Sequence, residues 1–317
     1  MSVYPRVALS RDQRAFRGAR VAELYGGVAP RSHLRRVGIT RADVRSEVTA
    51  GRWRVLGRHT VGIGTGEPMG DGRLWQVVWE SGSGAALDGV AALWKAGLTG
   101  FDDSVIDISL PHNCRPRKHP GVRIHQRRQM PVVVSAGIPR VQPEVATVHA
   151  MQWARSDRAA VLLMCLVVQQ RLVRPDALAQ AWLDRRARLP LPRRTLLDHA
   201  VRDVSRGAQA LGEIDVVGAL RAAGLPEPSH QIVREHRGGR VYLDLGWEEV
   251  GLFVEVDGGH HALALNTVDD ALRSNEVVIA RGVVLRVPVL GYRLQPATFI
   301  GQIVRAYWTL AAASPRR

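Results

Sequence analysis

Residues 21–64 read VAELYGGVAPRSHLRRVGITRADVRSEVTAGRWRVLGRHTVGIG, and their apolar spacing is helical as far as the Gly26-Gly27 break. Pro30 suits the start of a second helix carrying Leu34. Thr40, with Asp43 three residues on, approximates a capping signal for a third helix from Arg41 to Ala50, which Gly51 ends. Arg52 to Val55 then alternates as a strand, Gly57 turns the chain, and Thr60 to Ile63 returns. Three helices followed by a hairpin is the order of a winged helix, expected here over residues 1–65. In the third helix Val44 and Val48, one turn apart, face the core, which leaves Arg41 and Arg45 on another side.

Charge is unevenly spread. Residues 1–60 hold 13 arginines against 4 acids, residues 61–195 hold 18 bases against 11 acids, and residues 196–317 hold 13 against 14. A basic N-terminal region and a neutral C-terminal one predict a polyanion partner at the basic end, because arginine neutralises phosphates and releases their counterions. Arg41 and Arg45 on the third helix, with Arg52, Arg54 and Arg58 on the hairpin, are the expected DNA face.

With 46% hydrophobic and 23% charged residues the chain can fill real cores, and its longest apolar run, Ala159 to Val168, is about half of a membrane span. A soluble, cytoplasmic protein without membrane association is expected, and no signal peptide is read in the N-terminal segment. Residues 66–196 alternate short strands (105–110, 122–125) with helices (143–154, 158–169) and predict an α+β domain. His112, Cys114, His119 and His125 match no standard zinc spacing and lie among prolines, so they are read as loop. Arg115, Arg117, Lys118, Arg127 and Arg128 extend the basic surface, and residues 184–194 are the expected linker.

From about residue 198 the pattern is helix, three strands, helix, strand, helix. In RVYLDLG the alternation puts Asp244 opposite the Leu243 and Leu245 face, and in GLFVEVDG it puts Glu255 and Asp257 on one side. If residues 247–250 turn, Asp244 lies diagonal to Glu255, about 7 to 8 Å away, within reach of one shared cation. Like charges on an otherwise apolar strand face need neutralising, and hard oxygens favour Mg²⁺ or Mn²⁺. Glu213, on a largely apolar helix expected over 209–222, adds a fourth acid.

Two resemblances follow from these residues. The run GGVAPRSHLRRVGITRADVRSEVTAGRWRVLGRHTVG resembles the winged-helix N-terminal domain of AbiEi-type antitoxins, a resemblance covering about 45 residues, and the middle segment is similar to the linker domain of that family. The runs GEIDVVGALRAAGLPEPSHQ, VYLDLGW, LFVEVDGGHH and DDALRSNEVVIARGVVLRV resemble the PD-(D/E)XK nuclease fold of very-short-patch-repair-like endonucleases. That second resemblance implies Glu213 as the acid of the first core helix and Asp244 as a metal-binding aspartate, with Glu255 and Asp257 as the acidic pair of the third strand. It also implies His261 as the histidine of a DGxxH pattern, and Asp270, Arg273 and Arg286 as structural or phosphate-contacting groups. The chain departs from the family at the motif lysine: Glu255-x-Asp257 stands where Glu-x-Lys is typical, and no lysine follows Lys118. Arginine cannot act as a base in its place.

The expectation is therefore an α/β protein of three parts: a winged helix (1–65), an α+β linker domain (66–196) and a restriction-endonuclease-like domain with a central mixed sheet (197–317). Its expected function is DNA binding with divalent-metal-dependent hydrolysis of phosphodiester bonds, in which Asp244, Glu255 and Asp257 hold Mg²⁺ or Mn²⁺ and His261 moves the proton. The alternative is a non-enzymatic antitoxin-type transcriptional regulator, for which the resemblance implies a cognate toxin as partner.

Overall fold

Local signals begin the fold where the sequence is punctuated. In the computed structural model, which describes residues 9–188, 191–206, 216–236, 239–257 and 284–313, Ser10 and Gln13 form a capping box on helix α1 (Arg11–Glu23). Strand β1 (Val28–Pro30) leads directly into α2 (Arg31–Arg36), and Thr40 with Asp43 forms a second capping box on α3 (Arg41–Thr49). The hairpin follows as β2 (Trp53–Val55) and β3 (Thr60–Ile63). The three short strands form one sheet in the order β1-β3-β2, all antiparallel. Val21, Ala22, Ala29, Leu34, Ile39, Val44, Trp53 and Val61 fill the core they enclose with α1 to α3. Trp53 lies flat enough on α1 that a Cβ at Gly18 would sit 2.6 Å from its Cζ2, so only glycine lets the helix approach.

The chain continues through α4 (Gly70–Ser81), β4 (Ala86–Asp88), α5 (Gly89–Trp94), β5 (Ile106–Pro111), β6 (Val122–Arg127), β7 (Val133–Val134) and β8 (Arg140–Val141). These five strands make a mixed sheet in the order β6-β5-β4-β8-β7. At its β6 edge, buried Asp107 accepts two bonds from Arg123, at 2.6 and 2.9 Å, and lies 2.7 Å from His125 Nε2. Next to it Arg127 Nε donates to Ser109 Oγ at 3.1 Å. A buried carboxylate is tolerable only with such donors.

Beyond these come α6 (Pro143–Trp153), α7 (Asp157–Gln169), α8 (Pro175–Leu183), α9 (Leu191–Arg206) and α10 (Val216–Ala222). Leu163, Met164, Cys165 and Val167 of α7 are buried, and burial pushes the Cys165 thiol up to about 12, which removes it as a nucleophile. The last sheet holds β9 (Ser229–His236), β10 (Gly239–Trp247), β11 (Leu252–Asp257) and β12 (Val284–Pro288) in the order β12-β11-β10-β9. In this sheet β11 and β12 pair in parallel, and β10 pairs antiparallel with both β11 and β9. Two helices, Val289–Leu294 and Pro296–Ala313, end the described chain.

The protein is thus mixed α/β, with helices and three sheets, one of them a five-stranded mixed sheet. It divides into two compact units, residues 1–97 with 102–146 and residues 98–101 with 147–317. The helices and hairpin expected over 1–65 share the first unit with the five-stranded sheet, and the division near 146 falls inside the segment read as the linker domain. The stretch expected as a linker, 184–194, instead enters α9 at Leu191, with Pro192 in its first turn, where its missing N–H costs no helical bond. Among the described residues no helix is long and apolar enough to cross a membrane.

Candidate functional site

The capping box sets the direction of α3. Thr40 Oγ1 accepts from Asp43 N at 3.1 Å and Asp43 Oδ2 accepts from Thr40 N at 2.8 Å. On the inner side of α3 the surprise is Glu47, whose side chain is 1% exposed and accepts from Arg14 Nε at 2.8 Å and Arg52 Nε at 2.6 Å. The carboxyl is held below its ordinary 4.5, first by the Arg52 hydrogen bond and then by Arg14, against the opposing effect of burial. Its ionised form therefore favours the fold. That contribution is complete above about pH 4.5 and is lost as pH falls through the lowered value. Urea midpoints measured between about pH 7 and 3 should fall less steeply for Glu47→Gln than for the unaltered protein; parallel curves would remove Glu47 from this role.

With Glu47 facing inward, Arg41 and Arg45 face outward. They line a cleft of about 1300 Å³ whose other cationic groups are Arg31 and Arg35 of α2, Arg58 of the hairpin turn and Arg117 of the loop after β5. Among the described residues no carboxylate lines it. Among the described residues no acid pairs with Arg31, Arg35, Arg41, Arg45 or Arg58. Arg58 owes its place to α4: the buried Glu80 carboxylate accepts from the backbone N of Arg58 (3.0 Å) and His59 (2.7 Å) and from Thr60 Oγ1 (2.7 Å). One wall also carries Trp79, stacked on Trp75 at 4.8 Å and edged by Tyr25 at 5.0 Å.

Of the five arginines expected on the DNA face, Arg41, Arg45 and Arg58 come together in this cleft. Arg52 is spent on Glu47 and Arg54 on Glu67. Arg31 and Arg35 were not singled out from the sequence, although they stand one turn apart on α2, on either side of buried Leu34. Of the bases expected to extend the surface, Arg117 joins the cleft while Arg127 turns into the sheet.

The carboxylates of the second unit are built by the β10 and β11 hairpin. Leu245 pairs with Val254 and Trp247 with Leu252, so the turn is 248–251 and the same register carries Asp244 level with Glu255 rather than diagonal to it. Asp244 Oδ2 accepts from Val256 N at 2.7 Å, which ties this carboxylate to the strand that carries Glu255. Glu255 Oε2 lies 3.4 Å from Arg286 Nε, its neighbour in the parallel β11 and β12 ladder. Asp257 is the last residue of β11. Glu213, His261, Asp270 and Arg273 lie outside the described residues.

Asp244 and Glu255 are the two carboxylates that this hairpin brings level with each other. Mg²⁺ is commonly held by one or two carboxylates with waters completing its shell, so the pair fits the minimum ligand set. Among the described residues no three His, Cys, Asp or Glu side chains converge, and that holds for His112, Cys114, His119 and His125 as well. In comparisons with known proteins, no family model and no curated protein matches the chain.

Proposed function

We propose that the protein binds DNA through α3 and the hairpin of its first unit, read as a winged helix. In this reading the second unit is a nuclease-like α/β domain that hydrolyses phosphodiester bonds with Mg²⁺ or Mn²⁺. The observation that carries the binding is the cleft with six arginines and, among the described residues, no carboxylate. Cations gathered this way repel one another, and a row of phosphates relieves that repulsion while releasing condensed counterions. In the second unit Asp244 and Glu255 would hold the ion, with Asp257 beside them on β11. A bound divalent ion would supply activation of the attacking water and charge stabilisation at the phosphoryl oxygen. Arg286, next to Glu255, would meet the phosphate.

The binding test is its salt dependence. Affinity for labelled DNA should fall steeply between about 50 and 200 mM salt, and replacing Arg31, Arg35, Arg41 and Arg45 with Ala should flatten the log-log slope by roughly one unit per lost phosphate contact. An unchanged slope in the quadruple variant removes the cleft from DNA binding.

A second reading, a regulator that binds DNA without cutting it, is favoured by the acids themselves. Both already have an internal donor, Val256 N for Asp244 and Arg286 for Glu255, and no lysine follows Lys118.

A further inference from the structure

The cleft has a shape as well as a charge. A helix that reads a duplex must enter a major groove about 12 Å wide, and with its side chains a helix is itself about 10 to 12 Å across. The groove then has no room for anything facing the helix. Here the exposed residues Arg41, Arg45 and Thr49 of α3, with the partly buried Val48 at their base, line a concavity. Its other lining comes from Gly82 to Ala85, Pro111, Arg117, Met130, Val133 and Pro139. A duplex seated on α3 would meet those segments.

The lining is also mixed in chemistry. Beside the six arginines it holds Val48, Val55, Met130, Val133 and the half-buried ring of Trp79. Trp79 is stacked on Trp75, with the two planes 23° apart. Free phosphate or a polyphosphate has no use for such a wall. A nucleic-acid strand with its bases unpaired does, because each nucleotide brings one anion for an arginine and one flat apolar face for stacking. At about 1300 Å³ the space exceeds the roughly 300 to 1,000 Å³ that houses a drug-sized molecule, so it takes linked nucleotides rather than one.

We infer that the cleft between α3 and the five-stranded sheet region binds single-stranded DNA, phosphates on Arg31, Arg35, Arg41, Arg45, Arg58 and Arg117 and a base on Trp79. This rests on the DNA-binding reading and specifies the form of DNA. Preference for an unpaired strand follows from the wall, and tolerance of sequence follows from stacking, since every base has a π face.

The experiment is fluorescence anisotropy of the full chain with a labelled dT12 strand and with a 20-base-pair duplex of mixed sequence, at matched salt. The strand should bind more tightly than the duplex. Trp79→Ala should weaken strand binding by about 10- to 100-fold, the scale of one lost base stack, and weaken duplex binding far less. Because Trp79 belongs to an aromatic cluster, Ser83→Glu serves as the second variant. It changes an exposed loop residue of the cleft lining just past the end of α4, and placing a carboxylate there should weaken the strand about 10-fold. Tighter duplex binding, with both variants indifferent, overturns the cleft inference and leaves the DNA-binding reading standing. Absence of binding to either DNA overturns both. Displacement of the strand by poly-glutamate at equal charge concentration shows a site for any polyanion and also overturns the inference.

Discussion

Replacing Glu80 with Ala is expected to lower the stability of the first unit by about 3 to 5 kcal/mol, and Gly57→Ala by a similar amount. Glu80 is 2% exposed and accepts from two backbone N–H groups and one hydroxyl of the hairpin turn. Its loss strands three donors, each costing about 1 to 3 kcal/mol if left dry, less whatever water recovers. Gly57 acts on the same contact from the other side. A Cβ there would lie 2.6 Å from Glu80 Oε1, so the carboxylate must leave its three donors to make room. Glu80→Gln, which keeps one acceptor oxygen, should fall between these variants and the unaltered protein. Urea denaturation followed by tryptophan fluorescence reads the change, because Trp53, Trp75 and Trp79 all belong to this unit. If Gly57→Ala stays within about 0.5 kcal/mol, the range of an ordinary surface substitution, the anchor is not holding the turn.

The second large effect concerns chemistry. Supercoiled plasmid incubated with the full chain and Mn²⁺ or Mg²⁺ should pass slowly to open-circle or linear form, and EDTA should stop it. Asp244→Asn and Glu255→Gln should each reduce the rate to background, and His261→Ala should reduce it further than a surface substitution does. The two carboxylate variants are well suited to the structure. An asparagine oxygen can still accept from Val256 N, and a glutamine oxygen from Arg286, so each removes charge while keeping the local bond. Slowness is expected because no lysine stands where the nuclease fold that this segment resembles typically carries one. Losing one positioned charge-stabilising donor costs on the order of 10²- to 10³-fold. Cleavage that survives both variants comes from elsewhere, and a protein that binds DNA but never cuts it is the regulator.

What could be read from the sequence was what lies close in sequence. The Thr40 and Asp43 capping box, the glycine that ends α3 and the alternation of the hairpin are signals a few residues long, and they appear as α3, β2 and β3. Strand β1 gave no such signal: Val28, Ala29 and Pro30 are three buried residues without alternation, and their pairing with residues 60–62 is supplied by the far side of the hairpin. The arginines of the hairpin divide for the same reason. Arg52's partner Glu47 is only five residues back, but its burial depends on a helix whose Arg14 is 33 residues from it, so the local sequence does not mark Arg52 as engaged. Glu80 did carry a signal, an acid inside the apolar run LWQVVWES, which in general means a buried acceptor with specific donors. In the second unit the alternation placed Asp244 and Glu255 on faces that can meet, whereas the diagonal register was wrong by the position of one turn residue.

The Glu80 contact also bears on how a ligand would be received. Strands of three and four residues have too little ladder to hold a hairpin rigid in water. Here the turn bearing Arg58 is tied to α4 before anything binds, so a ligand need not order it. Association should therefore show little of the entropic loss and heat-capacity signature of coupled folding, and its rate should follow electrostatic encounter. Weakening the tie would shift that cost onto binding: a loosened hairpin would lose affinity through slower capture and faster release, with every arginine still present.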